Sequence, residues 1–97
     1  MNNQLTLSQI IERIERIISV TAGGKVVFLA TPMIQDAVIR NFTVLGQLSV
    51  RLDWPLPWGR LAGFDDAGVD VDLELIWNMV DQELGPLESE VRLLVEA

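Results

Sequence analysis

The stretch "TPMIQDAVIRNFTVLGQLSVRL", Thr31 to Leu52, decides the fold class. Ile34, Ala37, Val38, Phe42, Leu45, Leu48 and Leu52 recur at the three- and four-residue steps that place side chains on one helix face. Thr31-Pro32 suits a helix start, because proline's fixed φ and missing N–H cost nothing at the first helical position. The spacing therefore predicts a helix from Pro32 to about Leu52, the longest in the chain. Gly46 in its middle costs roughly 1 kcal/mol against alanine. Such a glycine favours close helix approach over a binding role. Arg40-Asn41 reads as a charge on the wet face beside a polar residue near the core.

The same period extends outward. From Thr6 to about Thr21, Leu7, Ile10, Ile11, Ile14, Ile17 and Ile18 form one face, and Glu12, Arg13, Glu15 and Arg16 form the other. Thr6 followed by Gln9 reads as a capping box, and Gly23-Gly24 as a helix stop. "KVVFLATP" (Lys25 to Pro32) is rich in β-branched residues, but no second strand signal exists to pair with it, so an irregular or helical connector is expected. "DWPLPWG" (Asp53 to Gly59) breaks the pattern, and a short helix is expected over Trp58 to Phe64. Asp72 can cap a helix carrying Leu73, Ile76, Trp77 and Val80, with Leu84 near its end. Gly85-Pro86 should punctuate, before a last helix over Leu87, Val91, Leu94 and Val95. The expectation is one domain over residues 1–97, an all-α bundle of four to five helices without repeats.

Composition narrows the chemistry. Histidine, cysteine and tyrosine are all absent. That removes disulfides, thiolate metal sites and the commonest general acid/base and zinc ligand. Ser8, Ser19, Ser49 and Ser89 therefore have no triad partner, and no cofactor is expected. The formal charge of −7 gives little on which to build affinity for nucleic-acid phosphates. "MNNQLTLSQ" has neither the basic nor the apolar region of a signal peptide, and "VVFLA" is far too short to span a membrane. A cytoplasmic protein with no membrane segment is the expectation. Hydrophobic residues make up 49% of the chain, more than so small a core should need. The faces of Ile10 to Ile18 and Ile34 to Leu52 point to a homodimer burying the surplus.

The most conspicuous polar cluster is Asp65, Asp66, Asp70 and Asp72, with Glu74 beyond. Carboxylates bind Ca²⁺ and Mg²⁺, and Asp66, Asp70 and Asp72 are the weak metal candidates. "DDAGVDVDLELI" nevertheless fails the alternating pattern of a calcium loop. The Asp70-x-Asp72 pair lacks the Gly-Ser phosphate loop and sheet that nucleotidyltransferases build around such a pair. A solvated loop followed by an N-cap is the simpler account. Gly23-Gly24-Lys25 lacks the remainder of a phosphate loop and reads as a helix stop. Trp54, Trp58 and Trp77 could stack on bases, but without a surrounding basic groove they read as packing residues.

Three stretches carry a family resemblance. "TPMIQDAVIRNFTVLGQLSVRL" (Thr31 to Leu52), "PWGRLAGF" (Pro57 to Phe64) and "VDLELIWNMVDQELGPLESEV" (Val71 to Val91) resemble, in order, the signature segments of HepT-like proteins of the HEPN superfamily. The matching positions of the first are Asp36, Ala37, Val38, Arg40, Asn41, Phe42, Leu45, Gly46 and Gln47. The resemblance covers nearly the whole chain. It implies a HEPN-like up-and-down bundle, a homodimer, and the toxin subunit of a toxin–antitoxin pair whose partner is an MNT-type nucleotidyltransferase. The family's activity is RNA cleavage.

The departure from the family is equally specific. Between its second and third segments the family carries Arg, four residues, His, one residue, Tyr. Here Phe64 runs directly into "DDAGVDVD", and the Arg, His and Tyr are missing. Metal-independent RNA cleavage needs a group to activate the ribose 2′-hydroxyl and another to stabilise the charged phosphorane, tasks suited to His and Arg. By the resemblance, Arg40, Asn41, Asp65 and Asp66 would line the former catalytic cleft, and the two carboxylates would repel RNA. The missing tyrosine is the residue that the antitoxin would modify with AMP. The leading expectation is thus a catalytically inactive HepT-like subunit. The alternatives are an enzyme built on the Asp65–Asp72 loop, with or without metal, and an antitoxin-like or dominant-negative interaction module.

Overall fold

The computed structural model describes residues 3–52 and 72–96. These form α1 (Asn3–Val20), α2 (Lys25–Ala30), α3 (Pro32–Ser49), α4 (Leu73–Asn78), a π-helical segment (Met79–Glu83) and α5 (Leu84–Glu96). Among the described residues there is no strand, and the all-α bundle expected from the periodicity is what forms. The short helix expected over Trp58 to Phe64 lies outside the described residues.

α1 and α3 make the most extensive helix contact, α5 covers α1 from another side, and α2 packs on α3 and α4. Leu7, Ile10, Ile14 and Ile17 of α1 are buried at 3-4-3 spacing, and they join Val38, Phe42, Leu45 and Leu48 of α3 in one cluster. Ile18, on the expected apolar face, falls off this stripe and is 44% exposed. α1 begins by Asn3, so Thr6 is buried in the helix interior instead of capping its start. Leu7 already belongs to the packed face. Burial of that turn outweighs the local capping signal, as tertiary packing usually does over propensity.

α1 ends where Thr21 turns back, its hydroxyl donating to the Ile17 carbonyl at 2.6 Å. Gly24 then takes φ 92°, ψ −178°, a region that only glycine populates readily. That turn releases α2. Lys25 to Ala30 is a helix, so the connector is helical despite its β-branched residues. Phe28 is its anchor, fully buried, with its ring centroid 5.6 Å from that of Trp77. Thr31 separates α2 from α3, and Pro32 is the first residue of α3 as its chemistry demands. The Gln35 side-chain amide reaches back to the carbonyls of Phe28 and Leu29, at 3.0 and 3.1 Å, and satisfies the end of α2.

α3 ends at Ser49, slightly short of the expected Leu52, yet Leu52 stays buried in the turn that follows. In the second half Gly85-Pro86 does not punctuate. α4, the π segment and α5 follow one another without a break, and Gly85 and Pro86 lie within α5. A proline inside a helix removes one hydrogen bond and crowds the carbonyl four residues earlier, here that of Gln82. The chain meets this with a widened turn. The Leu84 N–H bonds to the Met79 carbonyl, five residues back, and the ladder is re-registered just before Pro86.

The two glycines give opposite expectations. A Cβ at Gly24 meets no atom within 4 Å, so alanine there incurs only the backbone penalty, about 1–3 kcal/mol. A Cβ at Gly85 also meets nothing, but its backbone is helical. Gly85→Ala should stabilise by roughly 0.5–1 kcal/mol and Gly24→Ala should destabilise, both read from urea unfolding midpoints.

Candidate functional site

The candidate residues expected from the sequence fall in different places. Asp65, Asp66 and Asp70, with Trp54 and Trp58, lie outside the described residues. Asp72 is the N-cap of α4, its Oδ1 accepting from the backbone N–H groups of Glu74 at 3.0 Å and Leu75 at 3.2 Å. Among the described residues no group of three or more acids could hold a metal ion. Lys25 of the Gly-Gly-Lys turn is paired with Glu74 at 2.8 Å, which ties α2 to α4. Trp77 is half-buried against the core.

Arg40 and Asn41 diverge as neighbours on a helix must. Arg40 is exposed, and Asn41 is 8% exposed. The Asn41 amide has both ends engaged. Its Nδ2 donates to the Ala37 carbonyl at 2.8 Å, and its Oδ1 accepts from the Arg13 guanidinium of α1 at 3.2 Å. Arg13 is therefore not on the solvent face with Glu15 and Arg16. It lies at the flank of the apolar stripe, against α3.

The result is a cleft of about 280 Å³ between α1 and α3. Its walls are Gln9, Glu12 and Arg13 on α1, with Arg40, Val44, Gln47, Leu48 and Arg51 on or just beyond α3. Three guanidinium groups face one carboxylate, and that carboxylate is already engaged: Glu12 Oε1 is held by Arg16 at 2.6 Å. Asp36, one turn before Arg40, forms no ion pair with it among the described residues. The other described cations are all matched, Arg16 and Lys25 as above and Arg92 with both Glu15 and Glu88. Among the described residues, the cations without an ion pair are thus gathered in one place.

Of the residues singled out from the sequence, Arg40 lines this cleft, and Asn41 stands behind it through its bond to Arg13. Arg13 and Arg51 were missed. For Arg13 a signal existed: it sits three residues after Ile10 and one before Ile14, at the edge of the stripe, and a near-core asparagine needs a polar partner. For Arg51 the signal was the same period: Arg40, Val44, Gln47 and Arg51 follow at steps of four, three and four along one face of α3 and the turn after it.

Compared with models of protein families, with curated proteins and with solved structures, the chain finds no match.

The role of Asp72 is testable by a pair of substitutions. Asp72→Ala should cost about 1 kcal/mol through loss of the cap, while Asp72→Asn should cost almost nothing, because asparagine caps equally well. A metal ligand would be impaired by both. Thermal unfolding with and without Mg²⁺ separates the two accounts.

Proposed function

We propose that this chain is a HepT-like subunit that has kept its helical scaffold and lost the ribonuclease motif. It acts by dimerising and by binding a nucleotidyltransferase partner of the MNT type. The observation that carries the reading is the order of three matching stretches, Thr31–Leu52, Pro57–Phe64 and Val71–Val91, in a chain with no histidine and no tyrosine. The helical character of Pro32–Ser49 and of Leu73–Glu83 is consistent with the first and third stretches.

The chemistry follows from what is absent. Without histidine the chain lacks the side chain whose ordinary pKa lies near neutrality, the one best suited to take the 2′-hydroxyl proton and return it to the leaving oxygen, and that task would fall to carboxylates. Arginine can stabilise charge on a phosphorane but cannot serve as that base, since it stays protonated. The chain therefore keeps arginine for electrostatics but lacks the imidazole of the family's motif. A pure interaction module, pairing with an intact relative and blocking its cleavage, is the second reading, and the same missing motif favours it.

Dimerisation needs apolar surface. Most of the α1 and α3 faces is used inside the chain, but Leu5, Ile18, Val20, Val26, Val27 and Met33 remain exposed.

Two measurements test the proposal. The purified chain should not cleave RNA with or without EDTA, while a version with an Arg-x4-His-x-Tyr segment restored after Phe64 should. Cleavage by the chain as it stands would overturn the reading, and its EDTA sensitivity would show whether carboxylates hold a metal. Light scattering at micromolar concentration should give twice the 10.8 kDa chain mass; a monomer would remove the dimer from the proposal.

A further inference from the structure

We propose that α2 is a conformational switch: released from the bundle, Lys25–Ala30 extends into a strand that pairs with the same segment of a second copy of this chain. The inference stands on this segment alone and does not need the family reading. Its contact is made by backbone hydrogen bonds between strands, not by helix faces.

The first ground is that the local sequence opposes the helix it forms. Val26 and Val27 lose rotamer freedom in a helix and suit strands. Lys25 sets a cation at the positive end of the helix dipole. Gly24, the N-cap, supplies no side-chain hydrogen bond. Six residues fall well short of the length at which a helix persists alone. The helical state is therefore imposed by packing. Phe28 is buried against the Trp77 ring, and the Gln35 amide holds the Phe28 and Leu29 carbonyls. The Thr31 hydroxyl donates to the Val27 carbonyl at 2.7 Å. The Lys25–Glu74 pair is exposed on both sides and adds little.

The second ground is what the helical state leaves in water. Phe28 is buried and Leu29 half-buried, but Val26 is 81% exposed and Val27 42%. In a strand, Val26, Phe28 and Ala30 would lie on one face and Val27 and Leu29 on the other. Both faces would be apolar, the pattern of a strand covered on both sides. Lys25–Ala30 is six residues long, carries its one charge at its end and contains neither glycine nor proline. That composition favours stacking on identical segments, and it commits the partner to a second copy of the chain.

The third ground is the pair of joints that flank the segment. Gly24 stands at φ 92° on one side, and Thr31 is already extended at φ −124°, ψ 95° on the other. Pro32 favours that extended form in the residue before it. Lacking an N–H, Pro32 also ends the ladder of a strand that reaches it. The segment turns out between these joints while α1 and α3 keep their buried seam.

The test holds the full chain between micromolar and millimolar concentration, just below its thermal unfolding midpoint. Amide I infrared absorption, thioflavin T fluorescence and light scattering are followed together. A β-sheet band, foreign to the helical fold, should grow with concentration and in step with scattering. Val26→Lys should suppress it at least about tenfold, because an unpaired charge would have to enter a dry interface. The same substitution adds a cation at the helix start and lowers the formal charge from −7 to −6. Both changes favour release and association, so suppression reports the strand pairing itself. Val50→Lys, at a valine 70% exposed outside the segment, should leave the band unchanged. Gln35→Ala frees the end of α2 and should shorten the lag about two- to tenfold, the net worth of one hydrogen bond. Circular dichroism at low concentration confirms the helical starting state of each variant. No β band up to millimolar concentration would overturn the proposal. So would a band indifferent to Val26→Lys, one suppressed equally by Val50→Lys, or a lag indifferent to Gln35→Ala. Scattering at twice the chain mass with no β band would also overturn it while leaving the dimer of the HepT-like reading intact, so the two fail separately.

Discussion

The seam between α1 and α3 is the constraint on which the rest depends. Ile10, Ile14 and Ile17 on one helix, with Val38, Phe42 and Leu45 on the other, are buried to 1% exposure or less. Each such side chain contributes on the order of 1.5–3 kcal/mol by leaving water. The seam fixes the rotation of both helices, because shifting either by one residue would bring a charged or polar side chain into it. With rotation fixed, Arg13 and Asn41 are set opposite each other at the edge, and Arg40 is turned out by its position one residue earlier. The polar cleft is thus a consequence of the apolar seam: it forms where the stripe ends on one side and the two helices still lie close.

The remaining elements are held to this pair by different means. α5 reaches α1 through core contacts and the Arg92–Glu15 bridge, an exposed pair of little energetic weight. α2 is only six residues long, too short to persist alone, and is held by Phe28 beneath it, Gln35 at its end and the Gly24 turn before it. The π turn shows the same hierarchy. Leu84 and Val91 are buried beyond Pro86, so the core holds both sides of the proline in one helical run, and the backbone absorbs the misfit over Met79–Glu83.

This ordering explains what the sequence made legible. Helix faces were readable wherever three- and four-residue spacing was long enough to repeat, as in Leu7–Ile17 and Ile34–Leu48. The Asp72 cap and the Thr31-Pro32 start were readable because their chemistry is local. Thr6 and Gly85-Pro86 misled for one reason: each is a local signal opposed by burial on both sides of it. The α1–α3 cleft itself was not read from the sequence. Arg40 and Arg51 share one face along α3 and the turn after it, whereas Arg13 is brought to them by tertiary packing, with 27 residues between Arg13 and Asn41 in the chain.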